Sequence, residues 1–561
     1  MGVYLNPGNR QFQKSVRSPI YVDKTPMIQY LNSVLNTEQG YVSVSRPRRF
    51  GKTMAANMVC AYYDRTAESR SLFERTLLPQ CEPVVVGGEE IRWDSYLKKF
   101  DVVHLTMTDF FGEESSIADS IKYLREEVAG ELMDEYPDVR YGKRITLRTV
   151  MAKIFAKHKK QFVVVIDEWD AIFRYHEKDF EGQKLFLDNL RNWLKDKPYI
   201  ALAYMTGILP IKKYGKHSAL NMFEEYSMMY PMQLAKYFGF TEQEVTQLCE
   251  QRGRDFQGFK RWYDGYVLNE YVPEKEEDGS IACQVVDPIP DVPGYHIYSP
   301  LSVLKAIKYR SLLNYWNETE TYEALNIYIQ RNYDGLKDAI ALLMNGGRIR
   351  IDTSTYQNDM TTFHNKDDVL SLLVHLGYLG FDNWSNEVFI PNKEVMETFK
   401  TSTKNNSHWT ESFSSLRISQ ELLNATWEGD EAMVADLVEK AHDNASNLTY
   451  NDEAALSYGV QLAYYAAQGY YTDIKELDTG KGYADLVYLP SPHFADKPVL
   501  LIELKYGKGT DAAMDQVRKK EYLARLGHYK GNILVVGINY DKDVPSTNPS
   551  HKHHTCRIEK A

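Results

Sequence analysis

Short apolar blocks alternate with longer stretches of helical period through the first part of the chain. Val42 and Val44 alternate with Ser43 and Ser45 behind Tyr41, the pattern of a short buried strand. Residues Asp101 to Thr108 read as a second strand. Phe162 to Ile166 are five consecutive apolar residues, the signature of a strand buried on both faces, and Ala201 to Gly207 form a further strand. Between them, Ile28, Leu31 and Leu35 share one helical face, and Lys52 to Met58, Ser116 to Leu132, Thr146 to Lys157 and Lys184 to Lys195 read as helices. Strands alternating with helices imply an α/β domain with a parallel sheet.

From Phe240 to about Leu312 the pattern is helical, interrupted by the acidic, proline-containing stretch Pro273 to Pro293, which reads as a lid with an exposed loop. Residues 320–400 show helices followed by Gly377 to Phe381 and Val388 to Ile390 around a polar turn. Helices with such a hairpin suggest a winged-helix-like fold, and without a basic face on the hairpin it reads as a bridge between domains. The polar segment Thr401 to Ser415 marks a boundary, and helices return from Leu416 to Ala441. The expected division is the α/β domain over 1–235, lid and bridge over 236–400, linker and helices over 401–450, and a mixed α/β domain over 451–561.

Composition narrows the function classes. At 561 residues the chain is too long for one core. A net charge of −11 argues against coating nucleic acid through bulk charge, so any such contact needs a local basic patch. Apolar runs such as Phe162 to Ile166 and Pro498 to Ile502 are far short of the ~20 residues of a membrane helix, so no membrane partner is expected. The first residues lack the apolar core of a signal peptide, and Asn6 stands where a myristoylation signal following Gly2 carries Ser or Thr. Cys60, Cys81, Cys249, Cys283 and Cys556 are widely scattered, which fits a reducing compartment, and the cytoplasm is the expected location.

Two segments carry phosphate chemistry. Tyr41 to Thr53 runs from strand through a tight loop into a helix on Gly51-Lys52-Thr53, a phosphate-binding loop. Backbone N–H groups would face the anion, Lys52 would reach the β/γ-phosphates and the Thr53 hydroxyl would hold Mg²⁺. The usual pattern puts glycine at position 46, where Arg46 stands, so the first turn must be made another way. The buried strand from Phe162 ends in Asp167 and Glu168, at the edge where parallel sheets bind ligands. There Asp167 would hold Mg²⁺ and Glu168 would orient and deprotonate water. Thr206 ends the next strand and is either a group reporting the γ-phosphate or a strand-end turn. Lys212, Lys213 and Lys216 read as a solvated loop.

Tyr21 to Thr25, Ser45-Arg46-Pro47-Arg48-Arg49-Phe50-Gly51-Lys52-Thr53, Ile166 to Asp170, Phe238 to Thr241 and Trp262 to Tyr266 resemble the bacterial AAA-ATPase-like family, in which a PD-(D/E)XK nuclease-like domain commonly follows the ATPase. The resemblance makes Arg46 the family's own variant of the loop and implies ATP binding through Arg48, Arg49, Phe50, Gly51, Lys52, Thr53, Asp167 and Thr206. The segment before the loop, Tyr21 to Thr25, either borders the adenine or leads a helix packed on the sheet edge. ATPases of this sheet type often take an arginine from a neighbouring subunit, so a homo-oligomer is an expected partner.

The last domain carries Glu453, Asp485, Glu503 and Lys505. Glu503 and Lys505 are two apart on the strand Val499 to Lys505, so period-two alternation sends both to one face. With Asp485 on a neighbouring strand they can hold Mg²⁺ or Mn²⁺ while the lysine activates water, the chemistry of phosphodiester hydrolysis. The Gly482-Tyr483-Ala484-Asp485 strand and the following helix with Gln516 and Tyr522 match the PD-(D/E)XK pattern. Glu453 is a further expected metal ligand, and Lys505, Lys508, Arg518, Lys519 and Lys520 would form the local basic patch for DNA or RNA. The run His551-Lys552-His553-His554-Thr555-Cys556 lacks zinc-site spacing and reads as a terminal strand. The function expected from the whole is an ATP-hydrolysing protein whose nucleotide state controls an attached metal-dependent nuclease. The alternative is an ATP-switched regulatory or interaction protein whose nuclease-like domain binds without cutting.

Overall fold

The computed structural model describes residues 2–112, 116–143, 145–214, 217, 218, 220–269, 294–318, 322–330, 333, 335–403, 407–444, 453–478, 483–519, 532–544 and 552–561. Pro273 to Pro293, Lys216, Lys520, Tyr522 and His551 lie outside them. The chain forms two compact units, Met1–Ala324 with Ile351–Thr398, and Leu325–Arg350 with Phe399–Ala561. Residues 325–350, which the sequence pattern groups with the bridge, thus cluster with the second unit.

The first unit is built on a five-stranded sheet. Its strands are β1 (Tyr41–Ser45), β2 (Asp101–Thr106), β3 (Phe162–Asp167), β4 (Ile200–Gly207) and β5 (Glu224–Tyr226), in the order β2-β3-β4-β1-β5. Every pairing is parallel. All residues of β3 and β4 are buried, as unbroken apolar runs in a covered parallel sheet must be. Val42, Val44, Val163, Val165, Leu202 and Tyr204 share one core with Ala56, Val59 and Cys60 of the helix that follows β1, α1 (Lys52–Tyr63). The edge strand β5 is not legible as a strand, because Glu224-Glu225-Tyr226 is short and acidic.

Beyond the sheet, Thr241 caps the helix Glu242–Arg252 through a capping box with Glu244. Here the structure differs from the all-helical lid expected. Phe240–Thr241, Gly294–Tyr298 and Tyr266–Asn269 form a three-stranded antiparallel sheet. The helix Lys366–Leu376 then leads into an antiparallel hairpin, Gly380–Asp382 with Glu387–Phe389.

The second unit centres on a mixed sheet of β6 (Tyr471–Asp478), β7 (Tyr483–Pro490), β8 (Val499–Tyr506), β9 (Ile533–Tyr540) and β10 (His554–Lys560), in that order. The β6/β7, β7/β8 and β9/β10 pairs are antiparallel and β8/β9 is parallel. Helix α3 (Glu453–Ala463) precedes the sheet, and α4 (Thr510–Lys519) connects β8 to β9. Alternation divides the sheet's two faces. Leu486, Leu500, Ile502 and Leu504 join Leu456 and Val460 of α3, whereas Val487, Val499 and Leu501 join Met514 and Val517 of α4. His554 opens β10 and its Nδ1–H donates to Glu439 Oε2, so the histidine run ends in a strand.

Candidate functional sites

The loop from β1 to α1 shows how Arg46 replaces glycine. Its backbone takes no left-handed φ, and its N–H donates to Gly207 O at 3.1 Å. The side chain is fully buried: Nη1 donates to Ser45 O and Tyr226 O at 2.8 and 2.7 Å, and the guanidinium lies 5.4 Å from the Phe238 ring centre. Burial pushes this guanidinium down to about 9. Arg46 is therefore a strut under the loop, tying β1 to the chain beyond β5.

The next four residues divide into buried and exposed pairs. Arg48 and Arg49 are exposed, Arg49 with φ 66°. Pro47 and Phe50 are buried. The Phe50 ring meets Tyr266 and Trp316 edge-on at 5.8 and 6.4 Å, and its carbonyl accepts from Gly239 N at 3.0 Å. Gly51, at φ 93°, turns the chain into α1. Lys52 is buried, its Nζ donating to Arg46 O and Pro47 O at 2.8 Å each, and Thr53 is exposed. Burial pushes the Lys52 ammonium down to about 8, opposed by Asp170, Asp167 and Glu168.

Strand β4 lies between β1 and β3, so the loop and the acidic strand end open on the same edge, with Thr206 between them. Thr206 Oγ1 donates to Asp167 Oδ1 at 3.0 Å, and Glu168 N donates to the same oxygen at 3.0 Å. Asp167 Oδ2 is buried and makes no hydrogen bond. An orphaned carboxylate oxygen in an oxygen-donor site fits a Mg²⁺ ligand. Glu168 takes a left-handed φ of 53°, and its Oε2 accepts from Arg174 Nη2 at 3.0 Å. Asp170, fully buried, accepts from Ile208 N and Leu209 N through Oδ2 and so ties the acidic strand end to the exit of β4. Arg174 and Asp170 belong to this edge, and no motif spacing identifies Arg174.

Two expectations around this edge are corrected or sharpened. Lys212 does not lie in a solvated loop. It is 4% exposed and ion-paired to Asp359 at 3.0 Å, with a hydrogen bond to Gln183 and the Phe173 and Phe180 rings nearby. The partner is almost 150 residues away, which is why local composition misleads. Lys24 of Tyr21 to Thr25 is buried and bonds Glu244 at 2.7 Å and Lys236 O at 2.6 Å, anchoring that segment to the lid helix.

In the second unit, Asp485 lies one position beyond the pair Leu486 and Ile502, level with Glu503, and its Oδ2 accepts from Leu504 N at 2.7 Å. Glu503 is fully buried, and Lys505 Nζ reaches its Oε1 at 3.0 Å and Leu504 O at 2.8 Å. By alternation Asp485, Glu503 and Lys505 share the sheet face that carries Val487 and Leu501. Glu453 opens α3, whose Leu456 and Val460 pack on the opposite face, and its side chain lies outside the described residues. Lys508 is exposed after β8, while the side chains of Arg518 and Lys519 lie outside the described residues with Lys520.

Residues 8–216 match the model of the AAA-ATPase-like family, described as "Predicted AAA-ATPase". That region contains β1 to β4, the loop and the acidic strand end, and the match points to ATP binding and ATPase activity. The chain is also similar to the "Uncharacterized protein in vnfD 5'region" of Azotobacter chroococcum mcd 1, with 24% identity over 314 residues. The match takes in 54% of this chain and spans about half of that relative, 51% of its length. Among the described residues no helix is long and apolar enough to cross a membrane.

Proposed function

We propose that this chain is a cytoplasmic protein that binds ATP with Mg²⁺, hydrolyses it at the edge of the parallel sheet, and uses its nucleotide state to control a metal-dependent nuclease acting on DNA or RNA in the C-terminal unit. The observation that carries the ATPase is the meeting of Lys52, Asp167, Glu168 and Thr206 at the ends of three adjacent strands. Backbone N–H groups of the loop and the start of α1 would face the phosphates. Lys52 exchanges the carbonyls of Arg46 and Pro47 for phosphate oxygens. Thr53 and Asp167 would hold Mg²⁺, which would supply neutralisation of the phosphate charge. Glu168 orients and deprotonates water, and Thr206, hydrogen-bonded to Asp167, reports the γ-phosphate. A homo-oligomer in which a neighbour's arginine completes the site belongs to the same reading.

The nuclease half is supported by the order helix, three antiparallel strands, helix, parallel strand, and by Asp485, Glu503 and Lys505 on one face. In this reading Asp485 and Glu503, with Glu453, hold Mg²⁺ or Mn²⁺, and Lys505 serves the attacking water. The full burial of Glu503 and its ion pair with Lys505 favour the second reading, an ATP-switched interaction protein whose nuclease-like unit does not cut. Purified protein incubated with Mg²⁺ or Mn²⁺, a panel of DNA and RNA forms, and ATP or a non-hydrolysable analogue separates the two. Cleavage lost in Asp485→Ala with ATP hydrolysis retained supports the nuclease. A wild-type protein that cuts nothing in the panel, while Asp485→Ala changes no activity, supports the interaction protein.

A further inference from the structure

Arg174 lies six residues after Glu168, on the short helix α2 (Ala171–Tyr175) that follows β3. Its Nη2 donates to Glu168 Oε2 at 3.0 Å, its Nε stands 3.7 Å from Asp170 Oδ2, and its guanidinium lies 5.6 Å from the Tyr175 ring centre. The arginine side chain is 11% exposed and that of Glu168 38%. The arginine is thus the fixed member of the pair and the carboxylate the steered one.

The fixing is traceable. Ala171 N donates to Glu168 O and Phe173 N to Asp170 O, both at 3.0 Å, which sets the start of α2. Asp170 is itself held by the N–H groups of Ile208 and Leu209, at the end of the strand that carries Thr206. Burial alone would lower the Arg174 guanidinium, but Asp170 and Glu168 together raise it, so it stays charged. Its charge also acts on Lys52, against the three carboxylates.

Glu168, by contrast, has a backbone conformation that side-chain-bearing residues rarely adopt and that persists only where the surroundings hold it. The salt bridge occupies Oε2 and leaves Oε1 to receive a proton. A base oriented by a third group is the general arrangement for activating a nucleophile. We infer that Arg174 is the positioning residue of the ATPase site, holding the Glu168 carboxylate in the orientation that activates water. This rests on the ATPase reading above and adds a residue to it.

The test uses Arg174→Ala and Arg174→Lys in the full chain, each alone and combined with Glu168→Gln. Steady-state ATP turnover, the Kd of a fluorescent ATP analogue and thermal unfolding are measured on all. Arg174→Ala is expected to lower kcat by about 10- to 100-fold, the effect of misplacing a reacting group by around 1 Å, with KM and analogue Kd within about twofold of wild type. Arg174→Lys recovers part of the loss. In the Glu168→Gln background Arg174→Ala costs nothing further, because the group it positions is gone. A kcat at or above half the wild-type value, a Kd that weakens as much as kcat falls, or an equal loss in both backgrounds would overturn the inference. Failure of the underlying reading looks different: no turnover by wild type, or full turnover by Glu168→Gln, removes the reading and this inference with it.

Discussion

Gly377 is the sharpest place to ask whether the phosphate loop is braced from a distance. It ends the helix Lys366–Leu376 at φ 84°, and a Cβ there would stand 2.7 Å from the Trp316 ring and 2.8 and 2.9 Å from Pro47 side-chain atoms. The glycine cannot move away freely, since Tyr266 Oη donates to its carbonyl. Alanine would carry roughly 1 kcal/mol for the left-handed conformation. Overpacking against Pro47 and Trp316 adds about 1–3 kcal/mol, for a total of about 2–4. Gly253 supplies the control: it ends the helix Glu242–Arg252 at φ 60°, with no heavy atom within 4 Å of the corresponding Cβ. Gly253→Ala should therefore cost only the conformational part, about 1 kcal/mol. Guanidinium unfolding followed by tryptophan fluorescence gives the difference, and the Kd of an ATP analogue shows whether strain reaches the loop. One kcal/mol passed to the loop raises that Kd about fivefold in Gly377→Ala and leaves Gly253→Ala unchanged. Equal destabilisation by the two substitutions, or a wild-type Kd in Gly377→Ala, would refute the reasoning.

Three further outcomes follow from buried charges. Lys52 falls to about 8 from 10.5 through burial, so the loop loses its ammonium as pH rises through 8, and ATP-analogue affinity at pH 9 should be about tenfold weaker than at pH 7, read by fluorescence titration. Lys212→Met leaves Asp359 buried without its cation and should cost about 3–5 kcal/mol in guanidinium unfolding; a loss below about 1 would show the pair to be dispensable. Glu394, held by Ser302 Oγ and the N–H groups of Tyr315 and Trp316, is raised by burial to about 7 from 4.5. Because the folded value lies above the unfolded one, its contribution is full below pH 4.5 and is lost as pH rises through 7. That amounts to about 3 kcal/mol, and Glu394→Gln should flatten this slope in unfolding curves taken from pH 4.5 to 7.5.

What the sequence discloses is local and strongly periodic. The runs around Val42, Phe162 and Ala201 carry their own burial pattern, and the parallel sheet they imply is the one observed. Gly51-Lys52-Thr53 and Asp167-Glu168 are legible because strand, turn and charge fall within a dozen residues. The short lid strands and β5 are not, since Glu224-Glu225-Tyr226 is acidic and the lid strands lie in a stretch whose overall pattern is helical. Lys212 misleads for a different reason: it stands beside other lysines and is buried by a partner far away in sequence, Asp359; the burial of Arg46 likewise depends on a distant residue, Tyr226. Pro47 and Phe50 look like loop composition until Gly377, Tyr266 and Trp316 are seen against them. Arg174 carries no motif, and only the path of the chain after β3 brings it to Glu168.

In the proposed function one sheet edge binds and hydrolyses ATP through Lys52 and Glu168. The most direct measurement is a paired assay on wild type, Lys52→Ala and Glu168→Gln with Mg²⁺, combining steady-state phosphate release with equilibrium binding of ATP. Wild type is expected to turn over ATP, Lys52→Ala to bind it more weakly, and Glu168→Gln to retain ATP with turnover reduced at least about 100-fold. Glu168→Gln hydrolysing ATP at the wild-type rate, or Lys52→Ala binding it as tightly as wild type, would contradict this reading.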